Sequence, residues 1–137
     1  MKMQTMTVEP EAVITATDFD RLRHLLDTHR QSDATLRREL QRRTVVAPTQ
    51  VDRDVVTMHS QVRVRDLRLD ETDVYTLVYP DEADLESGRV SVLAPIGTAL
   101  LGARVGQVVR FEAPSGTRRL RVEQILYQPE AAGDYHL

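Results

Sequence analysis

Alternating apolar and polar side chains dominate the second half of the chain. In residues 61–65, Val62 and Val64 alternate with Gln61, Arg63 and Arg65, which is the period of two expected of a half-buried β-strand. Comparable short runs, bounded by turn-forming residues, predict further strands. These runs cover residues 74–79, 89–93, 108–112 and 119–127, and also residues 55–58, which together with residues 61–65 make one or two strands. The pattern therefore predicts a sheet of five or more short strands.

The first half of the chain has the period of a helix instead. Phe19, Leu22 and Leu26 recur at helical spacing, with charged residues on the positions between them. Thr17, followed three residues later by Asp20, has the form of a capping box. We therefore expect an amphipathic helix that begins at Thr17.

A second helix is predicted after a break at residues 31–33. Leu36 and Leu40 supply its apolar stripe, and Pro48 closes it. Because the connection is so short, the two helices, each roughly 20 Å long, are expected to lie antiparallel as a short coiled coil. We therefore expect an α+β protein, with a helical hairpin in residues 1–47 and an antiparallel sheet with one short helix in residues 48–137.

The run of residues 90–109 predicts where this short helix lies. Pro95 suits the first helical position, because it has no N–H to donate and its φ is already near the helical value. Gly102 stands where the end of a helix favours a residue with positive φ, and Gly106 predicts a turn into the next strand. A strand, a short helix and a second strand are thus expected in this one run.

Composition restricts the function classes. The chain has 137 residues, no cysteine and a formal net charge of −3, which excludes disulfides, cysteine-based zinc sites and a thiol nucleophile. The acidic balance argues against non-specific nucleic-acid binding as the main activity. No run approaches the length of a membrane span, and the N-terminus lacks the apolar core of a signal peptide. We therefore expect a soluble, cytoplasmic protein. We also expect it to be a monomer and to use neither a cofactor nor a metal ion.

Residues 94–106, with a proline, an Ala-Leu-Leu helix and a Val-Gly turn, resemble the C-terminal domain of the bacterial Gre transcript-cleavage factors. Residues 54–58, 77–80 and 127–135 narrow the resemblance to a Gre-like family that regulates nucleoside diphosphate kinase. The resemblance covers residues 54–137, and the run Gln-Pro-Glu-Ala-Ala-Gly-Asp-Tyr is its most specific part. It implies an FKBP-like C-terminal domain that docks on RNA polymerase beside the secondary channel and affects the kinase indirectly.

In Gre factors the docking surface includes the corner between a strand and the short helix. The resemblance therefore assigns polymerase binding to five consecutive residues, Leu93, Ala94, Pro95, Ile96 and Gly97. The chain departs from the Gre pattern at two of them, because Leu93 replaces an acidic residue and Ala94 replaces a serine. A more apolar corner suits a protein interface, and the alternative is that Leu93 joins the core.

The tip of the predicted hairpin determines whether the protein can stimulate transcript cleavage. Gre factors stimulate transcript cleavage with paired acidic residues that help to hold a catalytic magnesium ion, and such an ion prefers oxygen ligands from carboxylates and water. Here the tip offers Arg30, Ser32 and Asp33, and a single aspartate at the start of a helix is typical of an N-cap. We therefore expect a protein that is not an enzyme and that competes with Gre factors without stimulating cleavage.

Two other functions stay open. An adaptor would bind nucleoside diphosphate kinase or another protein directly, although the chain holds neither a G-x-x-x-x-G-K-[ST] loop nor a G-x-G-x-x-G turn to cradle a phosphate. A prolyl isomerase would follow from the FKBP-like fold, but such enzymes surround proline with aromatic side chains. With two phenylalanines, four tyrosines and no tryptophan, the chain favours this activity least.

Overall fold

The computed structural model describes residues 12–28 and 34–137. Its first elements are β1 (Val13–Thr15), α1 (Ala16–Thr28), α2 (Ala34–Gln41) and β2 (Thr44–Val46). They are followed by β3 (Gln61–Asp66), β4 (Glu71–Val78), β5 (Arg89–Ser91), α3 (Pro95–Leu100), β6 (Val108–Ala113), β7 (Gly116–Tyr127) and α4 (Pro129–Ala132). The expected α+β class, with helices before the sheet, is confirmed.

Five strands form one sheet in the order β5–β4–β3–β7–β6. The central strand β3 is antiparallel to both β4 and β7, and β6 is antiparallel to β7. The expectation of a purely antiparallel sheet is wrong at one edge, because β5 runs parallel to β4. Residues 79–88, which contain two short 3-10 turns, carry the chain back so that β5 can start at the same end as β4.

Successive residues of each strand lie on opposite faces of the sheet. On the inner face, Val62 and Val64 of β3 are buried, as the alternation predicts. They belong to one core cluster that also contains Leu22 of α1, Leu36 of α2 and Leu100 of α3. Burying one such leucine side chain contributes about 1.5–3 kcal/mol, so α1, α2 and α3 are stabilised by the same core as the inner face of the sheet.

Helix α1 begins earlier than its predicted cap. The helix starts at Ala16, and the hydroxyl of Thr15 accepts the backbone N–H of Asp18 at 3.1 Å. Thr15 is therefore the residue that caps the first turn, and the expected cap at Thr17 is wrong. Thr15 and Thr17 both fit the capping pattern. Because β1 ends at Thr15 and α1 begins at the next residue, Thr15 is the one that caps the helix.

Strands β1 and β2 form a separate parallel pair that the sequence pattern did not predict. Val13 pairs with Thr44, and Thr15 pairs with Val46, so the pair holds together the start of α1 and the chain beyond α2. Helix α2 also contacts α1, since Arg37 donates a hydrogen bond to the Leu26 carbonyl at 2.7 Å. Residues 29–33, between the helices, lie outside the described residues, so the antiparallel course of the hairpin stays a prediction.

Residues 55–58 are buried but do not form the predicted strand. Val55 makes an isolated bridge with Arg104, and the N–H of Thr57 donates to the Ser60 hydroxyl at 2.9 Å. His59, with a φ of 68°, then turns the chain toward β3. All four side chains of residues 55–58 are buried. The run is apolar because the core surrounds this segment, and not because the segment is a strand.

Candidate functional site

The corner between β5 and α3 is fixed by hydrogen bonds of its backbone and of two side-chain hydroxyls. The Ser91 hydroxyl accepts the N–H of Leu93 at 3.0 Å, and the Ser91 carbonyl accepts the N–H of Ala94 at 3.0 Å. The Thr98 hydroxyl donates to the Val92 carbonyl at 2.7 Å. These bonds satisfy the polar groups that are freed where a strand ends and a helix begins, so the corner has one defined shape.

Helix α3 has the bounds that its proline and glycine predict. Pro95 is its first residue, and Gly102 follows the helix with a φ of 80°. Ala94, at the N-cap, has no side-chain oxygen and makes no capping bond. The prediction of a short helix that begins at Pro95 and ends before Gly102 is confirmed.

Gly97 is required by the close approach of α3 to β5. A Cβ atom at this position would lie 1.9 Å from the Ser91 carbonyl oxygen and 2.9 Å from the Cα of Val92. Gly97 is also buried, so it presents no side chain to a partner. Because Gly97 has no side chain, α3 can lie this close to the preceding strand.

The five residues of the corner differ in burial. Pro95 is exposed, Leu93, Ala94 and Ile96 are half-buried, and Gly97 is buried. Leu93 and Ile96 also pack against the core cluster. Leu93 therefore combines the two alternatives of the sequence analysis, because it contacts the core and still contributes to the surface of the corner.

An open groove of about 1340 Å³ extends from this corner past α3 to β6. Its apolar lining includes Leu93, Pro95, Ala99 and Phe111, which bring the corner together with a strand that follows it in the chain. The sequence pattern identified the corner. The groove depends on how α3 packs on β6, and no pattern among neighbouring residues predicts that contact. The result is an open concave surface in which these apolar side chains lie beside charged ones, among them Arg110 and Glu112.

Charged side chains at this groove are largely paired. Arg43 forms an ion pair with Glu39 at 3.2 Å, and its side chain is 7% exposed. Burial lowers the pKa of the Arg43 guanidinium, while Glu39 opposes that effect. Arg104 forms ion pairs of 3.1 Å with two aspartates. These two guanidinium groups already have partners, whereas Arg110, which also lines the groove, forms no ion pair with a carboxylate of the described residues. The apolar surface and Arg110 are therefore free to bind.

Asp18 links α1 to the loop that precedes β3, a role that the sequence pattern does not predict. Its carboxylate accepts the N–H of Met58 at 3.1 Å, and the residue is only 2% exposed. Burial raises the pKa of the Asp18 carboxyl to about 6; the Met58 N–H opposes this rise, and the charge of Glu130 adds to it. An aspartate in the first turn of a helix is usually an exposed partner of the helix dipole, so no local signal marked this one as buried.

The C-terminal segment packs against the same part of the domain. Gln128 Nε2 donates to two backbone carbonyls at 2.8 and 2.7 Å, and the Thr57 hydroxyl donates to Glu130 at 2.7 Å. The Tyr127 hydroxyl donates to the Asp134 carboxylate, and this hydrogen bond raises the pKa of Tyr127 to about 12. Residues 127–134 therefore brace the loop that holds Asp18.

The predicted hairpin tip, Arg30, Ser32 and Asp33, lies outside the described residues. Within residues 12–28 and 34–137, no three histidine, aspartate or glutamate side chains come close enough to hold a metal ion. Over the same ranges, no helix has both the length and the apolar character needed to cross a bilayer.

Known proteins resemble this chain over the elements just described. The family model for transcription elongation factor GreA/GreB, C-terminal part, matches residues 50–127. The regulator of nucleoside diphosphate kinase from Escherichia coli strain K12 is 41% identical over 133 residues, which cover 93% of this chain and 98% of that protein. The transcription elongation factor GreA of Thermodesulfovibrio yellowstonii is 34% identical over 93 residues, or 68% of this chain and 59% of that protein.

A solved structure supports the same relationship. The prokaryotic transcription elongation factor GreA/GreB from Nitrosomonas europaea has a TM-score of 0.74 and 37% identity to this chain, and covers 87% of this chain and 100% of its own. The family model spans the region that contains the corner and the whole five-stranded sheet. The match to the Escherichia coli regulator covers nearly the full length of both proteins. The chain therefore belongs to the GreA/GreB-like family and, within it, to the group that contains the regulators of nucleoside diphosphate kinase.

Proposed function

We propose that the protein is a transcription regulator that binds RNA polymerase near its secondary channel, competes there with Gre factors and does not stimulate transcript cleavage. The observation that carries the proposal is the apolar corner between β5 and α3, where Pro95 is exposed and Leu93 and Ile96 are half-buried. The Gre resemblance assigns polymerase binding to this corner. Nucleoside diphosphate kinase is then affected through gene expression.

The length of the helices supports the absence of cleavage stimulation. Helix α1 has 13 residues and α2 has 8, which correspond to about 20 Å and 12 Å at a rise of 1.5 Å per residue. A Gre coiled coil is more than twice as long, so this arm would end short of the polymerase active site. Residues 29–33 also carry a single carboxylate, Asp33, where holding a magnesium ion takes more oxygen ligands than one carboxylate supplies.

In this proposal residues 1–47 form the helical arm, and residues 48–137 form an FKBP-like docking domain. The protein works as a cytoplasmic monomer, without a cofactor or metal ion of its own, and does not read nucleic-acid sequence. It is not an enzyme. Its relatives are a regulator and elongation factors, which agrees with a role in which binding itself is the activity.

Binding to purified RNA polymerase core tests the docking site. Pro95 is exposed at the first position of α3, where a glutamate is compatible with the start of a helix. Pro95→Glu should therefore keep the fold and lower polymerase affinity at least about tenfold, because a charge would be buried in an apolar contact. The matched control is Leu69→Glu, at the opposite end of the sheet, where the residue is 55% exposed; it should bind like the wild type.

Competition and cleavage are measured in the same system. An excess of a Gre factor should displace the wild-type protein, and stalled elongation complexes should release no additional short RNA when the protein is added. Binding that a Gre factor does not displace would contradict the shared site. Stimulated RNA cleavage would contradict the inactive tip.

A direct interaction with nucleoside diphosphate kinase is the second candidate. It is favoured by the name of the Escherichia coli relative, the regulator of nucleoside diphosphate kinase, which matches nearly this whole chain. The groove of about 1340 Å³ could receive a segment of the kinase as well as one of the polymerase. Co-purification of the two proteins in the absence of RNA polymerase would favour this candidate over the first.

A further inference from the structure

The outer face of the sheet, opposite the core, is rich in arginine. Alternation along three adjacent strands places arginines on this face from β3, β6 and β7. They are Arg63, Arg65, Arg110, Arg119 and Arg121. A protein with a formal net charge of −3 thus concentrates positive charge on one surface, which we call the arginine face.

The register brings like charges directly opposite one another. Arg65 of β3 pairs with Arg121 of β7, and Arg110 of β6 pairs with Arg119 of β7. Residues opposite each other across antiparallel strands have Cβ atoms about 4.5–5.5 Å apart. Like charges at that distance destabilise a sheet, and two such pairs lie side by side, since Arg119 and Arg121 are neighbours on the same face of β7.

Part of this charge is neutralised within the protein, and part is not. Arg65 forms ion pairs with Glu123 at 2.7 Å and with Asp70 at 2.9 Å. Arg63 instead donates to the Gln124 side chain at 2.6 Å, which leaves its charge uncompensated. Arg110, Arg119 and Arg121 are exposed, and no carboxylate of the described residues pairs with them.

Neither Glu112 nor Glu123 forms an ion pair with these three arginines. Glu123 is taken up by Arg65. Glu112, two residues after Arg110 on β6, accepts two contacts from the Thr117 hydroxyl at 2.9 and 2.7 Å. The fold therefore keeps three adjacent arginines without a partner. Their mutual repulsion lowers the stability of the protein, and because all three are exposed, none of them is needed to fill the core.

We propose that the arginine face, centred on Arg110, Arg119 and Arg121, binds an acidic segment of a partner protein. The planar guanidinium group matches a carboxylate with two parallel hydrogen bonds, and each carboxylate that arrives between two arginines removes a repulsion as well as forming an ion pair. Arg110 also lines the groove beside α3, whereas Arg119 and Arg121 extend the surface away from it. The gain comes from the pairing of charges and does not depend on RNA polymerase.

The remaining residues of the face favour a protein over a nucleic acid. Val74 of β4 and Val108 of β6 lie on the same face by register and are 41% and 39% exposed, which adds apolar contact area next to the arginines. Arginine with apolar neighbours is typical of protein interfaces. Sheets that bind single-stranded nucleic acid stack bases on several aromatic side chains. Here the register of β3, β4, β6 and β7 places one aromatic residue on this face, Tyr127 opposite Gln61; it lies six residues from Arg121 along β7, and its hydroxyl donates to Asp134.

The test uses a short fluorescent peptide in which glutamate alternates with leucine, and the same peptide with glutamine in place of glutamate. The full-length protein should bind the glutamate peptide at low salt, and binding should weaken as salt is added. Removing together the three guanidinium groups on which the proposal is centred should lower this affinity at least about tenfold. That variant combines Arg110→Ala, Arg119→Ala and Arg121→Ala. A charge-matched control combines Arg23→Ala, Arg38→Ala and Arg53→Ala, all at exposed positions elsewhere.

Each outcome decides the proposal. Binding of the glutamate peptide that survives in the control and is lost in the arginine-face variant supports it. Absence of binding, or equal binding of the glutamine peptide, overturns it. Tighter binding of a DNA duplex than of the glutamate peptide, lost in the same variant, overturns it in favour of nucleic acid. The melting temperature of the wild type should rise with added salt by more than that of the arginine-face variant, because salt screens the repulsion between the arginines. An equal rise in both would overturn the repulsion on which the proposal rests.

Discussion

Replacing Asp18 by asparagine should remove a pH dependence from the stability of the protein. The buried carboxyl has a pKa of about 6 in the folded protein, against an ordinary value of 3.8, chiefly because burial disfavours its charged form. The groups around it are the N–H of Met58, the hydroxyl of Thr15 and the charges of Glu130 and Arg21. Asparagine keeps an oxygen that can accept the Met58 N–H but carries no charge.

The sign follows from which state binds the proton more tightly. Because the pKa of Asp18 is higher in the folded state than in the unfolded chain, protonation stabilises the fold. This contribution is complete below pH ~3.8 and is lost as the pH rises through about 6. At 1.36 kcal/mol per pKa unit the whole effect is about 3 kcal/mol, of which about 2 kcal/mol falls between pH ~4.5 and pH ~7.5.

Urea unfolding followed by circular dichroism at several pH values measures this effect. The free energy of unfolding of the wild type should fall relative to Asp18→Asn by about 2 kcal/mol from pH ~4.5 to pH ~7.5; taking the difference cancels the titration of all other groups. Asp20→Asn, at an exposed position of the same helix, should follow the wild type. A difference between wild type and Asp18→Asn that does not change with pH would refute a desolvated carboxyl at the contact with Met58.

Two further substitutions test the geometry of the corner and of the C-terminal segment. Gly97→Ala should lower the free energy of unfolding by at least about 3 kcal/mol, because its Cβ would lie 1.9 Å from the Ser91 carbonyl oxygen; an unchanged thermal melt would contradict this contact. Gln128→Ala should cost about 2–3 kcal/mol in urea unfolding, because it leaves two backbone carbonyls without their donor. The exposed Gln124→Ala should cost less than about 0.5 kcal/mol, and equal losses for both glutamine variants would contradict the role of Gln128.

An element could be predicted where nearby residues alone determine both its sequence pattern and its structure. Strand β3 alternates because one of its faces is buried and the other meets water, so Val62 and Val64 show the period directly. The bounds of α3 follow from Pro95 and Gly102, whose conformational preferences act without help from distant residues. The corner could therefore be located from the sequence together with the family resemblance.

The features that escaped prediction depend on contacts between distant residues. Asp18 is buried because it meets the N–H of Met58, 40 residues later in the chain, and nothing near Asp18 encodes that meeting. The three-residue strands β1 and β2 are too short to show a period. The parallel direction of β5 is decided by the path of residues 79–88, and the arginine face becomes visible only when the register of three strands is known.

The position of β3 in the middle of the sheet has a consequence for the synthesis of the protein. Its partner β4 follows at once, so this hairpin can form early, but its other partner β7 begins at Gly116, 50 residues after β3 ends at Asp66. At about 5–20 residues per second, a ribosome takes about 3–10 s to cover that distance. During this interval one edge of β3 has no neighbour, and such an edge can pair with a strand of another chain. Nascent chains on one messenger are therefore most prone to associate with each other in these seconds, and the emergence of β7 ends that risk.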